Sequence, residues 1–187
     1  MTTQQVVDQA LAWFDSGHFK TILASRVAIP SESQRNDRDD ALTRYYNDVF
    51  IPAFQEMGFK TEVIVNPVNA ARPFLLASRE EDPNLPTVMC YGHGDVVFGD
   101  DARWGEGLSP WTLVERDGNW YGRGAADNKG QHSVNLAALE QVYHARNGRL
   151  GFNCVWLCEM GEEISSPGLA AVCEQLKARI NADLFIA

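Results

Sequence analysis

The sequence shows neither the pattern of a membrane span nor that of a secretory leader. No stretch approaches the roughly 18 consecutive apolar residues that a transmembrane helix needs. The first ten residues have neither the basic start nor the apolar centre of a signal peptide. Basic clusters are also missing, and 25 acidic against 16 basic side chains give a formal charge of −9, which would repel a phosphate backbone. We therefore expect a soluble, cytoplasmic protein that binds neither nucleic acid nor membranes.

Cysteine is scarce, with four residues in 187. Their positions show neither the paired short spacing of a zinc knuckle nor the density of a disulfide scaffold. The set stands in apolar surroundings and comprises Cys90, Cys154, Cys158 and Cys173. We predict buried free thiols. Linkers, repeats and low-complexity tracts are missing too, and the chain length suits one α/β domain.

Apolar residues at helical spacing predict helices over residues 4–14, 20–28, 39–57, 128–146 and 167–178. Pro52 should kink the third helix, and Pro167 can occupy the first turn of the last. The fourth helix should turn one apolar set of residues inward: Val134, Ala137, Ala138, Val142 and Tyr143.

Short β-rich runs predict strands over residues 59–65, 74–78, 87–91, 151–159 and 182–187. The run 151–159 is almost wholly apolar, which is typical of a strand covered on both faces, and 182–187 should begin another buried strand. Asp117-Gly118 predicts a hairpin that joins 112–115 to 119–121. The expected fold is an α/β three-layer sandwich with a mixed, mostly parallel sheet and helices on both faces.

Three loops carry chemistry, and each lies near the end of a predicted strand, where open α/β sheets bind their ligands. The first is Tyr91-Gly92-His93-Gly94-Asp95. The glycines give the imidazole of His93 room to meet a metal, and Asp95 could hold its other ring nitrogen. A purely structural histidine is the alternative at this point.

The second loop runs from Tyr121 to Gly130 and contains Asp127. Gly122 and Gly124 partly mimic a dinucleotide-binding turn, but the third glycine is missing. Asp127 would also place a negative charge where that fold receives a pyrophosphate. A carboxylate that bridges metal ions fits better, although a simple helix cap stays open.

The third loop follows the apolar strand and runs from Glu159 to Gly168. The neighbouring carboxylates of Glu162 and Glu163 repel each other unless a cation or a proton compensates them. One could bind a metal while the other acts as a general base. A solvated acidic loop is the ordinary alternative.

Together, in this order, the loops resemble the family of zinc exopeptidases and amidohydrolases that includes carboxypeptidase G, carnosinase-like dipeptidases, aminoacylase and succinyl-diaminopimelate desuccinylase. The resemblance implies two Zn²⁺ ions, replaceable by Co²⁺ or Mn²⁺, that are bridged by Asp127. It also implies His93 on one ion, Glu163 on the other, Glu162 as the general base and Asp95 as the residue that orients His93. A cis peptide bond is implied between Asp127 and Asn128.

The family resemblance further implies hydrolysis of a small peptide or an N-acyl amino acid by a homodimeric parent protein. Residues 1–187 correspond to the N-terminal part of the family's catalytic domain, so we expect further ligands and a lid domain to lie outside them. The 187 residues alone should be inactive and could self-associate through an exposed sheet edge. His18 and His144 should be surface or helix residues, and His132 could neighbour the pocket. The alternatives are a non-catalytic metal- or partner-binding module and a nucleotide-binding domain.

Overall fold

The computed structural model describes residues 1–187. Its helices are α1 (Thr3–Asp15), α2 (His18–Val27), α3 (Asp39–Tyr45), α4 (Ile51–Glu56), α5 (Lys129–Ala145) and α6 (Leu169–Leu176). Its strands are β1 (Lys60–Ile64), β2 (Phe74–Arg79), β3 (Thr87–His93), β4 (Val114–Arg116), β5 (Asn119–Tyr121), β6 (Asn153–Glu159) and β7 (Leu184–Ile186). None of the helices combines the length and apolarity that a membrane crossing requires.

The chain forms two compact units. The first contains Met1–Pro30 and Gly99–Leu150, and the second contains Ser31–Phe98 and Gly151–Ala187. The second unit holds a five-stranded sheet in the order β1-β2-β6-β3-β7. β6, β3 and β7 are parallel, whereas β2 is antiparallel to both β1 and β6. Only β2 therefore runs against the other strands, which confirms the predicted mixed sheet.

Helices cover both faces of this sheet. Successive residues of a strand point to opposite faces, so Val155 and Leu157 share one side while Trp156 lies on the other. Val172 of α6 belongs to the same apolar cluster as Val155 and Leu157. Phe54 of α4 meets Trp156 edge to face, with ring centroids 5.4 Å apart. β6 is buried along its whole length, as its apolar sequence predicts.

The predicted helix over 39–57 is one helical stretch with a wider turn in its middle. A π-helical turn, Tyr46–Phe50, separates α3 from α4. The amide of Ile51 donates to the carbonyl of Tyr46, five residues back. Pro52 follows directly and has no amide proton to donate, so the distortion lies just ahead of the proline.

The first unit packs α1, α2 and α5 with the β4–β5 hairpin. Phe19, Leu23 and Val27 of α2 form its apolar cluster, and Trp120 of the hairpin packs against them. The hairpin turn has positive φ at Asp117 (53°) and Gly118 (75°), as tight two-residue turns require. The sequence prediction of this hairpin is confirmed.

The predicted inward face of α5 is wrong at Val134 and Ala138, whereas Ala137 packs against the apolar cluster of α2 as expected. Val134 is 54% exposed, and Ala138 is also exposed. The side that is buried consists of Lys129, Gly130, His132, Ser133, Leu136 and Gln141. Polar residues can be buried there because they have partners: Arg26 donates to the Ser133 hydroxyl at 2.5 Å.

Two further predictions are corrected near the end of the chain. Pro167 lies two residues before α6, because Gly168 at the N-cap adopts a left-handed φ of 93°. β7 forms, but Leu184, Phe185 and Ile186 are exposed rather than buried. β7 is the last strand of the sheet and pairs with β3 alone. An edge strand has one neighbour, so an apolar sequence does not by itself ensure burial.

The cysteine prediction is confirmed in its main point. All four cysteines are free thiols. Cys90, Cys154 and Cys158 are buried, and Cys173 is partly buried.

Candidate functional site

The first and third loops of the sequence begin side by side in the second unit. His93 ends β3, Glu159 ends β6, and the two residues are partners in the parallel register. The amide of Gly94 donates to the carbonyl of Glu159 at 3.0 Å. A Cβ at Gly94 would lie 2.5 Å from the Tyr45 ring and 2.6 Å from the Met160 methyl group, so only glycine fits there. Sheet geometry thus brings the His93 loop and the acidic loop together.

Asp95 joins these two loops. Its side chain is fully buried. The Nδ1 atom of His93 lies 3.1 Å from the Asp95 carbonyl oxygen and 3.3 Å from Oδ1 of its carboxylate. The carboxylate also accepts the backbone amides of Glu162 at 3.2 Å and Glu163 at 3.1 Å. One buried carboxylate therefore fixes both the imidazole and the turn that carries the two glutamates.

These contacts select one form of the His93 ring. Both neighbours of Nδ1 are hydrogen-bond acceptors, so we assign the proton of the neutral imidazole to Nδ1. The lone pair then lies on Nε2, which is the form that a metal-binding histidine needs. Nε2 lies 3.7 Å from Oε2 of Glu162, whose side chain is 42% exposed. His93, a predicted metal ligand, and Glu162, the predicted base, therefore lie side by side.

Glu162 and Glu163 lie in a 3₁₀ turn, Glu162–Ile164. Gln34 donates its side-chain amide to the carbonyl of Glu163 at 3.2 Å. Ser165 and Ser166 follow with φ values of 70° and 49°, which side chains other than glycine seldom adopt. These contacts define a built turn rather than a loose acidic loop, so the solvated alternative does not describe the backbone.

Glu159 is a buried carboxylate whose role the sequence motifs do not predict. Its Oε1 atom accepts the Tyr91 hydroxyl at 2.5 Å and the Ser166 hydroxyl at 2.9 Å. Burial raises the pKa of Glu159. Burial and the bond to Glu159 raise the pKa of Tyr91. The sequence signal that could have pointed to Glu159 is its place as the only charged residue of β6, at the end of the strand.

The second loop lies in the first unit and places Asp127 just before α5, where it is exposed. The Asp127–Asn128 peptide bond is cis, which confirms the expectation from the family resemblance. The N-cap position of α5 is Asn128, so the alternative in which Asp127 serves as that cap is not supported. A Cβ at Gly130 would lie 2.0 Å from the carbonyl oxygen of Ala125, which explains the glycine in this motif.

Buried polar side chains fix the start of α5. Lys129 is fully buried, and its ammonium group donates to the carbonyl of Ile29 at 2.6 Å. It also lies 5.9 Å from the centre of the Trp111 ring. His132 is buried, and its Nδ1 lies 3.2 Å from the side-chain oxygen of Asn128, next to Asp127 in the chain. His18 and His144 are exposed, as expected.

The sequence matches peptidase family M20/M25/M40 over residues 89–187. The chain belongs to this family. The match starts two residues before Tyr91 and includes all three loops. The fold and the family expected from the motifs are therefore confirmed.

Individual relatives agree with this assignment. A cysteinylglycine-S-conjugate dipeptidase from Corynebacterium striatum is 35% identical over 113 residues, which is 59% of this chain and 24% of that protein. The mouse Beta-Ala-His dipeptidase is 40% identical over 99 residues, 52% of this chain and 19% of the relative. The chain thus spans about a fifth to a quarter of the length of these curated relatives. The crystal structure of human carnosine dipeptidase 1 superposes with a TM-score of 0.85 and 29% identity, covering 97% of this chain and 40% of that one.

Proposed function

We propose that this chain is part of a metal-dependent hydrolase that cleaves a peptide or amide bond, of the dipeptidase, carboxypeptidase or N-acyl amino acid deacylase type. The observation that carries the proposal is the bonding of Asp95. A non-catalytic loop has no need of one buried carboxylate that fixes an imidazole and two adjacent glutamates together. Such a second layer of hydrogen bonds is the usual support of metal-binding histidines.

We infer that His93, Asp127 and Glu163 hold the metal. They supply one imidazole nitrogen and two carboxylate groups, a donor set that could bind a metal ion. Nitrogen and oxygen donors of this kind suit Zn²⁺ and also Co²⁺ or Mn²⁺. The family resemblance supports two ions, both of which Asp127 would help to hold. Asp95 keeps the proton of His93 on Nδ1, so the lone pair lies on Nε2. This tautomer is the feature of the chain that suits a metal ligand.

Glu162 is assigned the role of general base. When bound, zinc supplies Lewis acidity, which polarises a carbonyl group and makes water easier to deprotonate. Oε2 of Glu162 is the exposed end of a side chain whose backbone amide is fixed by Asp95. It can accept a proton from the attacking water and later deliver it to the leaving nitrogen. General acid-base help of this kind contributes about a hundred- to ten-thousandfold in rate.

The substrate class is proposed from the relatives. Those with the printed names Beta-Ala-His dipeptidase and cysteinylglycine-S-conjugate dipeptidase favour a dipeptide or a similarly small amide. A cytoplasmic location and a homodimeric complete protein belong to the same proposal. We also propose that the 187 residues alone have low turnover, because three metal ligands shared between two ions would leave each ion under-coordinated.

Zinc titration of the chelator-treated chain tests the metal site. We expect the wild type to bind zinc and His93→Ala and Asp127→Ala to bind it at least about tenfold more weakly. His18→Ala and Asp8→Ala are the matched controls, since both residues are exposed, and they should bind as the wild type does. Absent zinc binding by the wild type, or equal binding by all variants, would refute the metal assignment.

Glu162→Gln separates a catalytic site from a structural one. The substitution keeps the shape of the side chain and removes its basicity. We expect zinc binding close to wild type in Glu162→Gln, whereas Glu163→Gln should weaken zinc binding itself. The slight zinc-dependent dipeptide hydrolysis that the wild type retains should be lost in Glu162→Gln. Unchanged hydrolysis in Glu162→Gln would reject the role of base and favour a metal that serves only structure.

A further inference from the structure

Asn66 is a buried amide whose contacts reach the acidic loop from outside it. It follows β1, and its side-chain nitrogen donates to the carbonyls of Arg72 at 2.9 Å and Pro167 at 2.7 Å. Its side-chain oxygen accepts the backbone amides of Val68 at 2.9 Å and Asn69 at 3.1 Å. Two donor hydrogens and two acceptor positions are thus all used, which fixes the orientation of the amide. Only the bond to Pro167 joins distant parts of the sequence.

Pro167 lies at the far end of the loop that begins at Glu159. Asp95 holds the amides of Glu162 and Glu163 near the start of this loop. Asn66 holds the other end, and the fit there is close. A Cβ at Gly168 would lie 2.1 Å from the side-chain oxygen of Asn66, and Gly168 adopts a φ of 93° that favours glycine. The loop is therefore clamped at two points.

Arg72 extends the clamp to a third segment. Its guanidinium group is buried and donates to the carboxylate of Asp39 at 2.6 Å and the carbonyl of Ser33 at 2.9 Å. Gln34, which follows Ser33 in the chain, donates to the carbonyl of Glu163 at 3.2 Å. The amide of Asn66 is therefore tied directly to the loop at Pro167. Through Arg72 and the Ser33–Gln34 segment it is tied indirectly to the carbonyl of Glu163.

We propose that Asn66 is a positioning residue for the Glu162–Glu163 turn. It acts by holding Pro167, and through Arg72 the Ser33–Gln34 segment, so that both glutamates keep one fixed backbone geometry. The expected effect of Asn66 on zinc affinity rests on the proposed function, in which Glu162 is the general base and Glu163 is a metal ligand. Loss of a supporting hydrogen bond of this kind typically costs a metal site about ten- to a hundredfold in affinity.

The test compares Asn66→Asp with Asn69→Asp in the 187-residue chain. Aspartate keeps the oxygen that accepts the two amides, but it cannot donate to the carbonyls of Arg72 and Pro167. Asn69 lies in the same turn and accepts only the nearby amide of Ala71, so Asn69→Asp controls for the added charge. Hydrogen exchange of the Glu162, Glu163 and Ser166 amides is measured without metal, and zinc affinity is measured separately.

We expect these three amides to exchange at least about tenfold faster in Asn66→Asp, the factor that one buried hydrogen bond can carry. Exchange in β6 should stay at the wild-type rate, and Asn69→Asp should change neither region. Zinc affinity should fall about ten- to a hundredfold in Asn66→Asp alone. If the new carboxylate prevents folding, Asn66→Ala repeats both measurements without an added charge.

Three results would overturn the proposal. In the first, the loop amides of Asn66→Asp exchange no faster than those of Asn69→Asp. In the second, the amides of the whole sheet exchange faster in both Asn66→Asp and Asn66→Ala. In the third, the loop amides exchange faster but zinc affinity is unchanged. The first two refute positioning itself, and the third refutes its link to the metal. Failure of the proposed function would look different. The wild type would then bind no zinc, while the exchange result would still decide whether Asn66 fixes the loop.

Discussion

Asp95 is a carboxylate removed from water whose contacts lie on His93 and on the amides of Glu162 and Glu163. Asp95→Asn keeps its shape but replaces one acceptor oxygen with a donor nitrogen. At least one of the two backbone amides then faces another donor, and the proton on Nδ1 of His93 loses its negative neighbour. We expect zinc affinity to fall about ten- to a hundredfold in a chelator-competition titration.

Asp40→Asn is the control for this substitution, because Asp40 is an exposed acid in the same unit. It should leave zinc affinity unchanged. Circular dichroism checks that the Asp95 variant keeps its secondary structure. Equal affinities of the two variants would show that Asp95 supports only the fold.

Sequence spacing was sufficient for the pairing of His93 with Asp95, because the two residues are two apart in one loop. It could not give the bonds from Asp95 to the glutamate amides, which lie 67 and 68 residues further along the chain. The role of Asn66 could not be predicted for the same reason, since an asparagine beside a proline predicts only a turn. Residues that position a site through distant partners carry no local signal.

The helix α5 shows how a correct element can have a wrongly assigned face. Apolar periodicity placed Val134 inside, yet it is 54% exposed, whereas Leu136 is only 3% exposed. Leu136→Ala should reduce the free energy of unfolding by about 2–5 kcal/mol. Val134→Ala, the matched truncation on the same helix, should change it by no more than about 0.5 kcal/mol. Urea unfolding measures both, and the reverse order would reinstate the predicted face.

The position of α5 was predicted correctly, since the helix spans Lys129–Ala145 and the prediction was 128–146. The face was wrong because His132 and Ser133 are buried with polar partners. A hydrophobic pattern cannot show that a polar side chain will be satisfied inside. The stretch of β6 from Cys154 to Cys158 is buried through apolar side chains alone, and it was predicted correctly both in position and in environment.

An ion pair ties the edge strand β1 to the segment after α6. Arg179 donates to the carboxylate of Glu62 at 2.6 Å and lowers the pKa of this carboxyl group below its ordinary value. The unfolded chain therefore binds the proton more readily. The contribution of the pair to stability is present at neutral pH and is lost as the pH falls through and below about 4.

Thermal unfolding of Glu62→Gln against wild type across this pH range checks the sign. The variant should melt slightly below wild type at pH 7, and the difference should vanish towards pH 3. Glu56→Gln is the control, because Glu56 is an exposed acid of the same unit. A difference that grows on acidification would mean that Arg179 does not stabilise the charged form of Glu62.

At the scale of the whole molecule, the two edges of the five-stranded sheet differ in chemistry. The β1 edge carries Lys60 and Glu62, and charged side chains of this kind discourage pairing with another strand. The β7 edge instead presents Phe185, which is 59% exposed and has exposed apolar neighbours on both sides. The net charge of −9 opposes contact between two copies at long range. Association through β7 should therefore be held back mainly by electrostatics.

Sedimentation velocity over a range of concentrations and salt tests this balance. We expect the 187-residue chain to associate reversibly, and more strongly at higher ionic strength, because salt screens the repulsion between copies. Burying one phenylalanine side chain is worth about 1.5–3 kcal/mol, so Phe185→Lys should weaken association about ten- to a hundredfold. Phe98→Lys, at an exposed phenylalanine outside the sheet, should have little effect. A strictly monomeric wild type at high concentration and high salt would contradict pairing through β7, since both conditions favour it.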